Sequence, residues 1–165
     1  MNIICQGLNP FFTKEWNRHW TNEGAEIIRH QHARLLLPNL IEAQSFEKIV
    51  LHRLETHERR IVCRLITGKV GLNQFLHLTN RTPTLNCKWC EDQEETVEHY
   101  LMECPRYNIL RACSQISLKH LIPELQNRNI NLKMLLIGDR RWEPDKRVRA
   151  VKETVKFVVE TRRNI

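Results

Sequence analysis

Cys87-Lys-Trp-Cys-Glu-Asp-Gln-Glu-Glu-Thr-Val-Glu-His-Tyr-Leu-Met-Glu-Cys-Pro105 places four metal-ligating side chains within eighteen residues, in the pattern Cys-x2-Cys-x8-His-x4-Cys. Two thiols separated by two residues can turn both sulfurs toward one point, which is the usual first half of a structural zinc site. His99 and Cys104 supply the second half. Three thiolates and one imidazole make a closed tetrahedron around Zn2+, with Zn–S near 2.3 Å and Zn–N near 2.0 Å, and leave no position for a reactive water. Such a site fastens the chain, and it can contribute on the order of 10 kcal/mol to local folding. Acids at Glu94 and Glu95 suit a helix N-terminus and Pro105 stops a helix, so a short helix is expected from about residue 94, with His99 in its middle and Cys104 at its end.

Outward from this cluster, helical periodicity dominates. Phe46, Ile49, Val50, Leu54, Ile61 and Leu65 recur at helical spacing, with Glu47, Lys48, Arg53, Glu55, Glu58 and Arg59 on the other face. Residues 45–66 therefore read as one long amphipathic helix, with Ser45 as its N-cap and Thr67-Gly68 as its stop. A short helix over 72–78 leads into the breaker-rich Thr79-Asn-Arg-Thr-Pro-Thr84. Nearer the start, Phe12, Trp16 and Trp20 stand four apart on one helical face, as a core anchor or a stacking platform, and 25–37 reads as a helix stopped by Pro38. Downstream, Ile109, Cys113 and Ile116 share a helical stripe, which predicts a buried Cys113. Residues 132–137 fit a short helix, a turn or a strand. In 144–162, Val148, Val151, Val155 and Val158 fall opposite Arg149, Lys152, Glu153, Lys156 and Glu160. The fold class is accordingly mainly α, a small single helical domain over 1–165 with an embedded CCHC zinc knuckle: N-terminal helices in 1–44, a helical region in 45–82, the knuckle in 83–107 and C-terminal helices in 108–165.

The chain carries 26 Lys and Arg against 19 Asp and Glu, a net charge of +7 and an isoelectric point near 9.3, which suits a polyanionic partner such as RNA or DNA. Much of this charge is scattered, at His52-Arg53, Arg59-Arg60, Arg140-Arg141 and Lys146-Arg147, as on ordinary solvated helices. Beside the cysteine cluster, Arg81, Lys88, Arg106 and Arg111 are candidates to meet phosphate, and Trp89 to stack on a base or, alternatively, to pack over the metal. The start lacks signal-peptide character and no run of some 18 apolar residues occurs, so an intracellular chain away from membranes is expected, its six cysteines serving as ligands or core fillers. His52 and His57 lack partners at ligand spacing, Gly68-Lys69 lacks the rest of a phosphate-binding loop, and there is no paired-carboxylate motif, nucleophile elbow or dinucleotide fingerprint. Neither catalysis nor a small-molecule substrate is expected.

Arg64-Leu-Ile-Thr-Gly68, Leu72-x2-Phe-Leu-His77, Cys87-x2-Cys90, Glu95-Thr-Val-Glu-His99 and Glu103-Cys-Pro-Arg-Tyr107 together resemble the C-terminal region of jockey-like, LINE-type non-LTR retrotransposon polyproteins, downstream of their reverse transcriptase and RNase H domains. The likeness is carried by about residues 60–111, and the Trp16/Trp20 stretch is similar to the tryptophan-containing segment after RNase H in those proteins. It implies knuckle ligands at Cys87, Cys90, His99 and Cys104, the same four reached from spacing. It also implies a non-catalytic tail that holds RNA or DNA and neighbours other parts of a retrotransposon polyprotein. Where that family often has histidine after Thr-Gly, this chain has Lys69. The alternative function is a zinc-stabilised protein-interaction scaffold, in which the Val148 to Val158 face meets a partner instead of its own core.

Overall fold

Ala33, residues 35–163 and Ile165 are described by the computed structural model. The Phe12, Trp16 and Trp20 face lies outside the described residues, as does most of the 25–37 segment, whose last described positions are helical and end before Pro38. Six α-helices follow among the described residues: α1 (Leu40–Ile49), α2 (Thr56–Thr67), α3 (Asn73–Leu78), α4 (Asn108–Leu121), α5 (Leu132–Leu136) and α6 (Pro144–Glu160). The described residues are mainly helical, and their only β pairing is an isolated antiparallel bridge between Asn86 and Glu94.

The long helix expected over 45–66 is two helices. Ser45 lies inside α1, whose cap is Asn39: its side chain accepts a hydrogen bond from the Glu42 N–H at 2.9 Å. The chain then makes a 3-10 turn at Leu51–Arg53, turns extended at Leu54 and restarts at Glu55, where Glu55 and Glu58 exchange side-chain and backbone hydrogen bonds in a capping box. Apolar periodicity runs straight through this break because Val50 and Leu54 stay buried on both sides of it. Gly68 does end α2 as the sequence indicates, in the left-handed conformation (φ 69°) that suits glycine.

α6 is the organising element. Pro144 and Asp145 open it, and it buries Val148, Ala150, Val151, Thr154, Val155, Phe157 and Val158 against α4, α5 and α2. Each fully buried valine contributes roughly 1.5–3 kcal/mol over an exposed one. The Val148 to Val158 face thus meets this chain's own core, which removes the version of the scaffold reading that gave it to a partner. Thr154 pins α6 to α5 by donating to the Leu135 carbonyl at 2.8 Å. Residues 132–136 take the helical option of the three open to them, because Asn131 caps α5 by accepting from the Met134 N–H at 2.9 Å. No helix among the described residues is long and apolar enough to cross a membrane.

α4 departs from expectation. Ile109, Cys113 and Ile116 are exposed, and the inward face is instead Arg111 and Leu118. Arg111 orients the helix, since its guanidinium reaches backbone carbonyls beneath α4, and turning the Ile109 face inward instead would break these hydrogen bonds.

Two substitutions test the packing around the α5–α6 turn. Gly138 has φ 77°, and a Cβ there would stand 2.9 Å from Arg147 Cβ and Cγ. Gly138→Ala is expected to cost on the order of 2–4 kcal/mol in urea unfolding, the sum of left-handed strain and overpacking; an unchanged midpoint would contradict this packing. The second concerns Asp139, whose carboxyl is held down at about 2, first by hydrogen bonds from the Arg141 side chain. The folded value lies below the roughly 3.9 of an unfolded aspartate, so the stabilisation is complete above about pH 4 and lost as pH falls toward 2. Asp139→Asn is expected to lower the unfolding midpoint at pH 7 and leave it nearly unchanged near pH 2.

Candidate metal centre

The knuckle grows from a tight loop. The Cys87 N–H donates to the Gln93 carbonyl at 2.7 Å, and the Cys87 carbonyl accepts from Cys90 and Glu91 at 3.2 and 2.9 Å. Glu91 takes a left-handed conformation (φ 46°), which reverses the chain after the second thiol. Asn86 braces the reversal by donating from its side chain to the Glu91 carbonyl at 2.6 Å. The strand-like bridge then returns through Glu94, and the Glu95 N–H donates to the Leu85 carbonyl at 2.9 Å. Glu94 and Glu95 therefore belong to a small hairpin and not to a helix N-terminus, as their pairing across the loop satisfies the backbone there.

The helical turn that follows starts later than the acids indicated. Thr96 caps it, its Oγ1 accepting from the His99 N–H at 2.9 Å. His99–Glu103 then winds as a π turn, closed by the Cys104 N–H donating to the His99 carbonyl at 2.7 Å. In an α-helix, residues five apart stand about 140° apart around the axis. The wider turn brings His99 and Cys104 round to a common side, and π turns are frequent at functional sites for this kind of reason.

As a result the ligating atoms of Cys87, Cys90, His99 and Cys104 all lie within 4.8 Å of one another, with Cys87, His99 and Cys104 buried. Cys104 Sγ stands 3.9 Å from Cys87 Sγ and 3.7 Å from Cys90 Sγ. Both ring nitrogens of His99 are buried without a hydrogen-bond partner among the described residues, and Glu103 Oε2 is 3.6 Å from Nδ1. Burial raises the Cys90 thiol and pushes the Cys104 thiol up to about 12, with the neighbouring thiols adding to the rise at Cys104. A buried imidazole left without partners is costly, and a cation among these donors satisfies it and reverses the cost of forming thiolates. The four residues fit a metal ion.

The centre is fastened to the helices by two groups that sequence reasoning did not single out for this purpose. Arg111, at 9% exposure, donates from Nε to the Leu101 carbonyl at 2.9 Å, from Nη2 to the Cys104 carbonyl at 2.8 Å and from Nη1 to Asn108 Oδ1 at 2.7 Å. Burial lowers its pKa. Glu95, at 2% exposure, accepts from the Asn73 N–H at 2.8 Å and from Arg163 at 2.7 Å. Tyr100, Tyr107 and Phe157 seal the contact with α6, their ring centroids 5.3 to 6.2 Å apart.

The candidate polyanion contacts divide. Lys88 and Arg106 flank the Trp89 ring, 4.6 and 4.7 Å from its centroid, and Trp89 is 48% exposed on the knuckle surface. Arg111 points inward as described, and Arg81 lines a separate cleft beside the α2 and α3 turns. Arg111 thus serves as a brace. Arg111 and the buried Leu118, seven residues apart, share the inward face of α4, away from the Ile109, Cys113 and Ile116 stripe from which the helix was read.

Arg111→Met keeps an unbranched apolar stem and removes every donor. It leaves the Leu101 and Cys104 carbonyls without the donors Arg111 supplied, so a loss of about 3 kcal/mol or more in stability is expected. A metal affinity lower by roughly 10–100-fold is expected as well. Stability equal to the parent in urea titrations would refute the bracing role.

No family model, curated protein or solved structure matches this chain.

Proposed function

We propose that Cys87, Cys90, His99 and Cys104 hold one structural Zn2+, and that the knuckle presents Lys88, Trp89 and Arg106 to single-stranded RNA or DNA. On this reading the chain is a non-catalytic zinc-binding module of the kind found at the C-terminus of non-LTR retrotransposon reverse transcriptase proteins. The observation that carries it is the convergence of three sulfurs and an imidazole within 4.8 Å. In a tetrahedron with Zn–S near 2.3 Å, sulfurs stand about 3.8 Å apart; the separations at Cys104 are 3.7 and 3.9 Å. Bound there, zinc supplies a closed electrostatic cross-link, while the protein's own residues do the rest. The π turn aims His99 and Cys104, the Glu91 reversal aims Cys87 and Cys90, and Arg111 holds the far end.

Support for nucleic acid comes from the Trp89 face. A half-exposed indole with two cations against its ring offers the strand an aromatic surface and two phosphate partners. The net charge of +7 favours the encounter.

The exposed stripe of Ile109, Cys113 and Ile116 on α4 favours a second reading, the zinc-stabilised protein-interaction scaffold. The two readings differ in salt response. Self-association that survives high salt, without retention of nucleic acid, supports the scaffold.

Elemental analysis of the purified chain is expected to find about one zinc, lost in Cys87→Ser and in His99→Ala together with structure over residues 85–107. Cobalt in place of zinc is expected to give the intense visible bands of a tetrahedral thiolate site. Loading is expected to release protons, because Cys90 and Cys104 carry raised pKa values before metal binds, and affinity is therefore expected to fall as pH falls. Zinc absent from a chain purified without chelators, or retained in both variants, would refute the centre. Fluorescence anisotropy with labelled oligonucleotides tests the second half: binding is expected to weaken steeply with salt and to drop in Trp89→Ala.

A further inference from the structure

Beside the knuckle, a cleft of about 500 Å³ opens between the ends of α2, α3 and α6, a size within the range of small-ligand sites. Each of its three walls is a chain reversal that delivers a cation. Gly68 (φ 69°) turns the chain after α2 into Lys69, Asn80 (φ 56°) turns it after α3 into Arg81, and Arg162 (φ 50°) turns it after α6 into Arg163. Arg64, from the last turn of α2, is the fourth. Among the described residues, no acidic side chain lines the cleft.

The four cations are not equally engaged. Arg163 donates to the buried Glu95 at 2.7 Å, and Arg64 donates to the Ile165 main-chain oxygen at 2.8 Å. The side chains of Lys69 and Arg81 have no hydrogen bond or ion pair among the described residues. Arg163 Nε is itself buried without a hydrogen-bond partner among the described residues. Like charges gathered around a low-dielectric recess repel one another and raise the local concentration of anions. Phe75 adds a half-buried aromatic wall to the same cleft. Cations that grip phosphate beside a ring that stacks on a base are the elements with which proteins hold single strands.

We propose that this cleft is a second binding site, distinct from the Trp89 face, and that it takes one nucleotide unit of a single-stranded nucleic acid. The phosphate lies against Lys69 and Arg81, and the base lies against Phe75. The inference rests on the nucleic-acid half of the proposed function and extends it. Trp89 does not line the cleft, so a strand that reaches both sites is gripped at two separated points.

Lys69 and Arg81 are the residues to change, because among the described residues their side chains have no partner whose loss would disturb the fold. Anisotropy titrations of the full zinc-loaded chain with fluorescent fifteen-nucleotide oligo-dT and oligo-U, across a series of salt concentrations, compare wild type with Lys69→Ala/Arg81→Ala, Lys69→Arg/Arg81→Lys and Trp89→Ala. The alanine pair is expected to weaken binding at least tenfold and to reduce the salt slope by about 0.7, the value for one phosphate of a single strand. The charge-preserving pair is expected to bind within about threefold of wild type. Trp89→Ala is expected to weaken binding with little change in slope. Titration of the wild-type chain with a nucleoside monophosphate is expected to shift amide resonances of residues 69–71, 75 and 81, whereas inorganic phosphate shifts Lys69 and Arg81 without Phe75.

Unaltered affinity in the alanine pair, with binding still lost in Trp89→Ala, overturns the second site and leaves the Trp89 face standing. A wild-type chain that binds no oligonucleotide overturns both. Loss in the alanine pair of binding to phosphatidylserine vesicles, with oligonucleotide binding unchanged, assigns the cations to lipid headgroups and overturns the nucleotide assignment.

Discussion

Two carbonyls, those of Leu101 and Cys104, face inward where the π turn breaks off; the Cys104 carbonyl keeps one backbone partner, the Tyr107 N–H at 3.1 Å, and has room for a second. The Arg111 guanidinium takes both. A planar fork of donors can bridge two acceptors that a point charge such as lysine cannot. Much of the knuckle's attachment follows from this contact: it sets the rotation of α4, turns Ile109, Cys113 and Ile116 outward, and fixes the carbonyl of the residue that supplies the last ligating sulfur. A buried arginine is expensive to desolvate, which its lowered pKa reflects, so its place inside depends on the three hydrogen bonds it donates.

The aromatic packing completes what the cation begins. Tyr100 precedes Leu101 in the same turn and is almost wholly buried against Tyr107 and Phe157, with its hydroxyl bonded to Thr161. Burial raises the Tyr100 phenol well above its ordinary value, so it stays a neutral hydrogen-bonding group. The metal-ligating turn is therefore one surface of the helical core. α6 lies under it in one direction and under α5 and α2 in others, which connects the small irregular segment to the regular part of the fold.

How much of this could be read from the sequence depended on the kind of signal. Ligand chemistry was legible, because cysteine and histidine at short spacings have few other reasons to gather, and the four residues do converge. Helix α6 was legible from its valines, and the stop at Gly68 from the special conformation glycine permits. The break between α1 and α2 was not, since periodicity reports which side is buried and is blind to a capping box that interrupts the axis without changing the side. Cys113 was misread for a related reason. Its stripe is apolar, but the opposite face carries an arginine whose partners lie far along the chain, and no local pattern reveals carbonyls waiting ten and seven residues upstream. The start of the knuckle turn was displaced because two acids that resemble a helix N-terminus pair across a hairpin instead.

The π turn links the number of residues between two ligands to the way the backbone winds. With three residues between histidine and cysteine, an ordinary α-helix sets both on one face, about 40° apart. With four, as between His99 and Cys104, the same helix would send them to different sides, and only a turn closed one residue later reunites them. Loop length elsewhere in the chain is free to drift by a residue at little cost. Here a single insertion or deletion is a change of helix type, so the interval between these two ligands is the part of the chain least able to change length.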